Sequence, residues 1–206
     1  MSVAAAAAGS PGLWFVSRAS GLALLAALSS VMVLGVAARL GSAPARWPRF
    51  VVAELHRTLA LFAVAFLVLH VVTAILDPFV TIGWAAAVLP FTSGYRALAT
   101  GLGTLAVDLG GAVLLTSLAR RRLGYRAWRA VHWLAYLAWS AAFAHSLTAG
   151  SSDLRIWWAA LTEWGCAAAG ATAVVARLLQ AIRPATPASQ PANTPEPITP
   201  GERTPG

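Results

Sequence analysis

Residues 54–76 read ELHRTLALFAVAFLVLHVVTAIL and residues 125–147 read YRAWRAVHWLAYLAWSAAFAHSL. Each stretch is long and apolar enough to cross a bilayer as a helix. Each also carries two histidines, His56 with His70 and His132 with His145, and these are all the histidines in the chain. An imidazole is costly in hydrocarbon-facing sequence, so two pairs near the ends of two apolar helices point to ligands that face the interior of a bundle.

The spacing sets two levels. His56 and His70 are fourteen residues apart, just under four helical turns, so they project from nearly one face about 21 Å apart. His132 and His145 are thirteen apart, which leaves them about 140° out of phase on an ideal helix. A kink, a π-bulge or a changed approach angle is therefore expected between them. With the two helices side by side, His56 faces His132 and His70 faces His145. Each level then offers two axial imidazoles, the number that a six-coordinate haem iron takes.

The remaining sequence is that of a membrane protein. It is 58% hydrophobic and 11% charged, and five spans are expected at Leu13–Leu40, Phe50–Leu76, Ala97–Leu118, Tyr125–Leu147 and Ile156–Ile182, giving an all-α, polytopic helical bundle. The first apolar run lacks a basic n-region and is too long for a signal peptide, so it counts as a span. Residues 1–12 are expected to be a flexible N-terminus, residues 13–183 a haem-binding transmembrane domain, and the Pro, Thr and Ala-rich residues 184–206 a disordered cytoplasmic tail. Asp77-Pro78 ends the second span, and Phe79 to Tyr95 is too short to cross again, so it is expected to lie at the interface as a lid over the outer level.

All fifteen basic residues are arginine. Arg39, Arg46, Arg49 and Arg57 cluster after the first span, Arg120, Arg121, Arg122, Arg126 and Arg129 after the third, and Arg177, Arg183 and Arg203 at the C-terminal end. Arg18, Arg96 and Arg155 fall on the other side. The positive-inside rule puts the larger group in the cytoplasm, the N-terminus outside and the C-terminus inside. His56 and His132 then share the cytoplasmic level, an agreement independent of their spacing. The net charge of +8 reads as topology and contact with anionic membrane lipid; no nucleic-acid partner is expected.

Other residues are weighed against these. Arg57 and Arg129 lie within a turn of a histidine and are candidates, with Arg126, for the carboxylates of an inner haem; Tyr95, Arg96 and Arg155 are the outer candidates. Phe62, Phe66, Trp133, Trp139 and Phe143 supply aromatic bulk on the ligand helices and read as core packing, with filling of the space between two haems to ease electron tunnelling as the alternative. Asp108 and Glu163 are mid-span acids, expected buried and either protonated or paired, with no role assigned. Glu54 belongs at the surface. Cys166 has no partner and reads as a small core residue. Gly101-Leu102-Gly103-Thr104-Leu105-Ala106 superficially fits a dinucleotide fingerprint, but it sits in an apolar helix with no preceding strand; its glycines serve close packing or give room for a haem face. A haem-free alternative stays open, in which the histidines bind zinc or copper or simply bond between helices. It lacks the Cys, Asp or Glu that complete most such metal sites.

The stretches Leu55-His56-Arg57 with Leu69-His70, and Trp128-Arg129-Ala130-Val131-His132-Trp133-Leu134-Ala135-Tyr136 with Ala144-His145, resemble the ferric reductase-like transmembrane domain. That family includes ferric reductases, NADPH oxidases and bacterial haem-bearing membrane partners of periplasmic reductases. Ser17-Arg18-Ala19-Ser20-Gly21, Asp77-Pro78-Phe79, Ile82-Gly83-Trp84 and Thr116-Ser117-Leu118 are similar to actinobacterial members. The resemblance implies two haem b groups, with His56 and His132 on the inner iron and His70 and His145 on the outer, in a bacterial cytoplasmic membrane. It also implies electron transfer from the cytoplasm to an extracytoplasmic acceptor, which could be a ferric chelate, oxygen or a docked reductase. Full-length relatives continue into flavin and nicotinamide domains, whereas here about two dozen residues follow the last span, and a sixth helix of many relatives is missing. The expected role is thus an oxidoreductase component, with no catalytic residue of its own. Its cytoplasmic donor would be a flavoprotein, a ferredoxin-like protein or quinol.

Overall fold

A computed structural model describes residues 11–40, 48–80, 82–150 and 153–182. The expected flexible N-terminus lies almost wholly, and the expected tail wholly, outside these residues. Among the described residues seven helices occur in order: α1 (Gly12–Leu40), α2 (Arg49–Leu76), α3 (Ala97–Leu118), α4 (Arg120–Leu123), α5 (Tyr125–His132), α6 (Leu134–Ala149) and α7 (Trp157–Ile182). Single 3-10 turns occur at Trp84–Ala87 and Asp153–Arg155, and no strand is found among the described residues.

Four helices, α1, α2, α3 and α7, are long and apolar enough to cross a membrane. The expected fourth span is instead two helices that meet at Trp133. There the Trp133 N–H donates to the Ala130 carbonyl at 3.3 Å and the Tyr136 N–H to the Trp133 carbonyl at 3.2 Å. These are the three-residue bonds of a tightened turn. Thirteen residues at about 100° each fall short of four full turns, and tightening adds rotation in the sense needed to close that gap.

α1 runs antiparallel along α2 and also carries α7, while α3 runs along α6. The histidine-bearing helices α2 and α6 are not packed backbone to backbone; each is held by a neighbour. Trp139 of α6 is buried among Met32 and Val36 of α1 and Ala173 of α7. Its indole N–H donates to the Ser29 hydroxyl at 2.9 Å, and its ring stacks on Phe143 with centroids 5.6 Å apart. Gly170 of α7 lies so close beneath that ring that any side chain would overlap it. Cys166 is buried, whereas Phe62 is exposed, so the aromatic residues divide between core and surface.

After α2, buried Asp77 closes a turn by accepting the Phe79 N–H at 2.9 Å. The segment beyond it folds onto the first turns of α3: Thr104 donates to the Ala86 carbonyl at 2.5 Å, and the Phe91 ring covers Gly101. Phe91 reaches that position with a φ of 64°, a left-handed conformation uncommon for a bulky residue.

Two expectations are corrected. Asp108 is exposed, not buried. It lies seven residues after Gly101, on the face of α3 turned away from α6; position along a span fixes depth but not azimuth. Arg177, near the C-terminal end of α7, was expected to flank the span and is instead buried at 8% exposure.

Candidate functional site

At one end of the bundle the His70 and His145 rings face each other with centroids 6.0 Å apart and planes at 74°. The His70 Nδ1 bonds the Ser17 carbonyl of α1 at 2.8 Å, and the His145 Nδ1 bonds the Ala99 carbonyl of α3 at 2.7 Å. A carbonyl only accepts, so each Nδ1 carries the proton and each Nε2 keeps a free lone pair. At the other end, the His56 Nδ1 bonds the Val31 carbonyl of α1 at 3.0 Å.

These three bonds share one construction. In a helix each carbonyl points toward the residue four places on, whose side chain would shield it. Here that residue is glycine each time: Gly21 after Ser17, Gly35 after Val31, Gly103 after Ala99. A Cβ would stand 3.0 Å from His70 Cε1 at Gly21, 3.3 Å from His56 Cε1 at Gly35 and 2.9 Å from His145 Nδ1 at Gly103. The glycines thus open seats in which the imidazoles dock edge-on. Sequence reasoning passed over Gly21 and Gly35, although they repeat on α1 the fourteen-residue interval of His56 and His70 on α2.

His132 differs. It lies within electrostatic reach of His56, whereas His70 and His145 are in ring contact. The His132 Nδ1, however, is buried without a hydrogen-bond partner. Its ring instead lies against Trp128, with centroids 5.0 Å apart, and the Trp128 N–H donates to the Ser117 hydroxyl at 3.2 Å.

Arg18 lies within electrostatic reach of both His70 and His145 and over the Trp14 ring at 5.0 Å, so it joins Tyr95, Arg96 and Arg155 as a candidate at that level. Arg96 is occupied by the Ala149 carbonyl at 3.3 Å, tying α3 to α6, and Arg155 and Tyr95 are exposed. Arg57 and Arg129 are exposed near the other pair, Arg129 lining an open recess with Tyr125, Arg126 and Trp133. Glu163, at 1% exposure, accepts a hydrogen bond from Ser146 at 2.5 Å and from no histidine.

The geometry of the His70–His145 pair suits a metal held between two imidazoles. An imidazole nitrogen binds a metal at about 2 Å, and the ring centre lies about 1 Å behind it, so rings on opposite faces of one iron have centroids about 6 Å apart. Among the described residues no three His, Cys, Asp or Glu side chains gather as a metal site. A family described as ferric reductase like transmembrane component matches residues 20–143, a stretch that holds His56, His70 and His132 and stops two residues before His145. No curated protein matches the chain, and no solved structure does.

Proposed function

The chain belongs to the ferric reductase like transmembrane component family, and from that membership we propose that this multi-pass membrane protein carries single electrons across the bilayer through two haem b groups. His56 with His132 would hold one iron and His70 with His145 the other, and haem iron bound there would supply a one-electron ferric–ferrous couple.

The protein's own part is to hold and insulate. The carbonyl bonds from Ser17, Val31 and Ala99 fix the tautomer and plane of three imidazoles and raise their basicity toward a metal. Arg18 at one level, and Arg57 and Arg129 at the other, supply positive charge for the haem carboxylates. Trp139 and Phe143 fill the space between levels and keep water from it. Counting α5 with α6 as a fourth crossing gives five, and the arginines orient them with the N-terminus outside a bacterial cytoplasmic membrane and the C-terminus inside. The His56 level then faces a cytoplasmic donor (a flavoprotein, a ferredoxin-like protein or quinol), and the His70 level faces an extracytoplasmic acceptor.

The observation that carries this reading is the outer pair, two imidazoles 6.0 Å apart with each Nδ1 tied to backbone. The test is electron transfer through proteoliposomes that contain the full chain and trapped dithionite, with ferric citrate outside. The reading expects reduction of the external iron by the wild type and none by His70→Ala. Equal rates for the two proteins would refute it.

A further inference from the structure

Among the described residues Arg177 is the only buried arginine. A guanidinium inside a span is costly and marks a position with work to do. Its Cζ lies 4.6 Å from the centre of the Trp133 ring, and its Nη1 donates to Gln180 at 3.1 Å. It is also within hydrogen-bonding reach of the Tyr136 hydroxyl. Trp133 is the joint between α5 and α6, and Tyr136 is the residue whose N–H closes the tightened turn onto it; their rings pack 5.2 Å apart. α7 runs mainly along α1 and approaches α6 little. Between α6 and α7 is a crevice of about 280 Å³ lined by Trp133, Tyr136, Leu137, Val174 and Arg177, and the guanidinium reaches across it.

His132 immediately precedes this joint and is the one histidine whose Nδ1 has no partner. The other three are oriented by backbone carbonyls, whereas the direction of the His132 ring follows from where α5 points as it leaves Trp133. We propose that Arg177 is a positioning residue for the inner histidine pair: by gripping Trp133 and Tyr136 it fixes the α5–α6 joint, and the joint aims His132 at His56. Arginine suits this because its planar guanidinium stacks on an indole while its edge bonds an amide and reaches toward a hydroxyl, which an ammonium cannot do together.

The proposal rests on the dihaem reading, and the test separates the two. Low-spin ferric paramagnetic resonance and haem content per chain are measured on the detergent-purified full chain, with the two signals assigned through His56→Ala and His70→Ala. Arg177→Leu should shift or lose the inner signal and leave the outer one unchanged, and Arg177→Lys should give a smaller shift of the same signal. Trp133→Leu, which keeps the arginine and removes its stacking surface, should repeat the inner-only change even where Arg177→Leu does not fold. Both signals unaltered in Arg177→Leu, or both altered together in Arg177→Leu and Trp133→Leu, would overturn the proposal. A wild type with no haem signal would overturn the dihaem reading itself.

Discussion

The two histidine levels are matched in composition and unlike in construction. In the outer level His70 and His145 each sit in a glycine-opened seat with a carbonyl on Nδ1. In the inner level only His56 has such a seat. The interval that repeats on α1, fourteen residues from Gly21 to Gly35, leads on α3 from Gly103 to Ser117. There the Val113 carbonyl takes the Thr116 hydroxyl, and the serine binds the Trp128 indole, which in turn lies on His132. One serine in place of a glycine thus accompanies the change from a histidine held by backbone to one held by a ring and a helix joint. A pinned level has one geometry, whereas an aimed level depends on distant packing.

The largest expected effect falls on the pinned level. His70→Ala should remove one haem and end transfer to external acceptors while reduction of the inner haem persists; two haems per chain in this variant would show the pairing to be wrong. Gly103→Val should come next, because its Cβ would stand 2.9 Å from His145 Nδ1 and its branches would close the Ala99 carbonyl. Overpacking of this kind costs about 1–3 kcal/mol, and the outer haem should be lost with the inner retained, as judged by haem content. Gly35→Ala offers a milder 3.3 Å contact to His56, so it should shift the inner haem's midpoint potential without loss of haem, read by redox titration. Unequal sensitivity of Gly103→Ala and Gly35→Ala, with the outer site the more disturbed, would sharpen the contrast. Ser117→Ala should do least: it removes one indole hydrogen bond, about 0.5–1.5 kcal/mol, lowering Tm slightly and broadening only the inner signal.

Much of this arrangement was legible in the residues. The fourteen and thirteen intervals place four imidazoles at two depths because helical rise is fixed, and the thirteen also demanded a disturbed helix, found at Trp133. Which residue would break was not legible, since the break depends on Arg177 reaching from α7. Asp108 shows the same limit: hydropathy gives depth, but only packing says which face of α3 meets α6. Arg177 reads as an end-of-span arginine until α7 is laid against the joint. Arg96 bonds the Ala149 carbonyl, and Arg18, unread as a site residue in the sequence, comes within electrostatic reach of His70 and His145 from α1. The glycine seats were half visible, because the Gly21–Gly35 interval equals the His56–His70 interval. Their meaning needed the antiparallel register that sets a carbonyl of α1 opposite each histidine of α2.

The central claim is that each level holds one haem between two imidazoles, and haem stoichiometry with spin state tests it most directly. A dithionite-reduced minus oxidised spectrum of the detergent-purified chain, with pyridine haemochrome quantification, should give two low-spin b-type haems per chain. A well-folded protein expressed with ample haem that contains none, or that binds a single high-spin haem, would contradict the account.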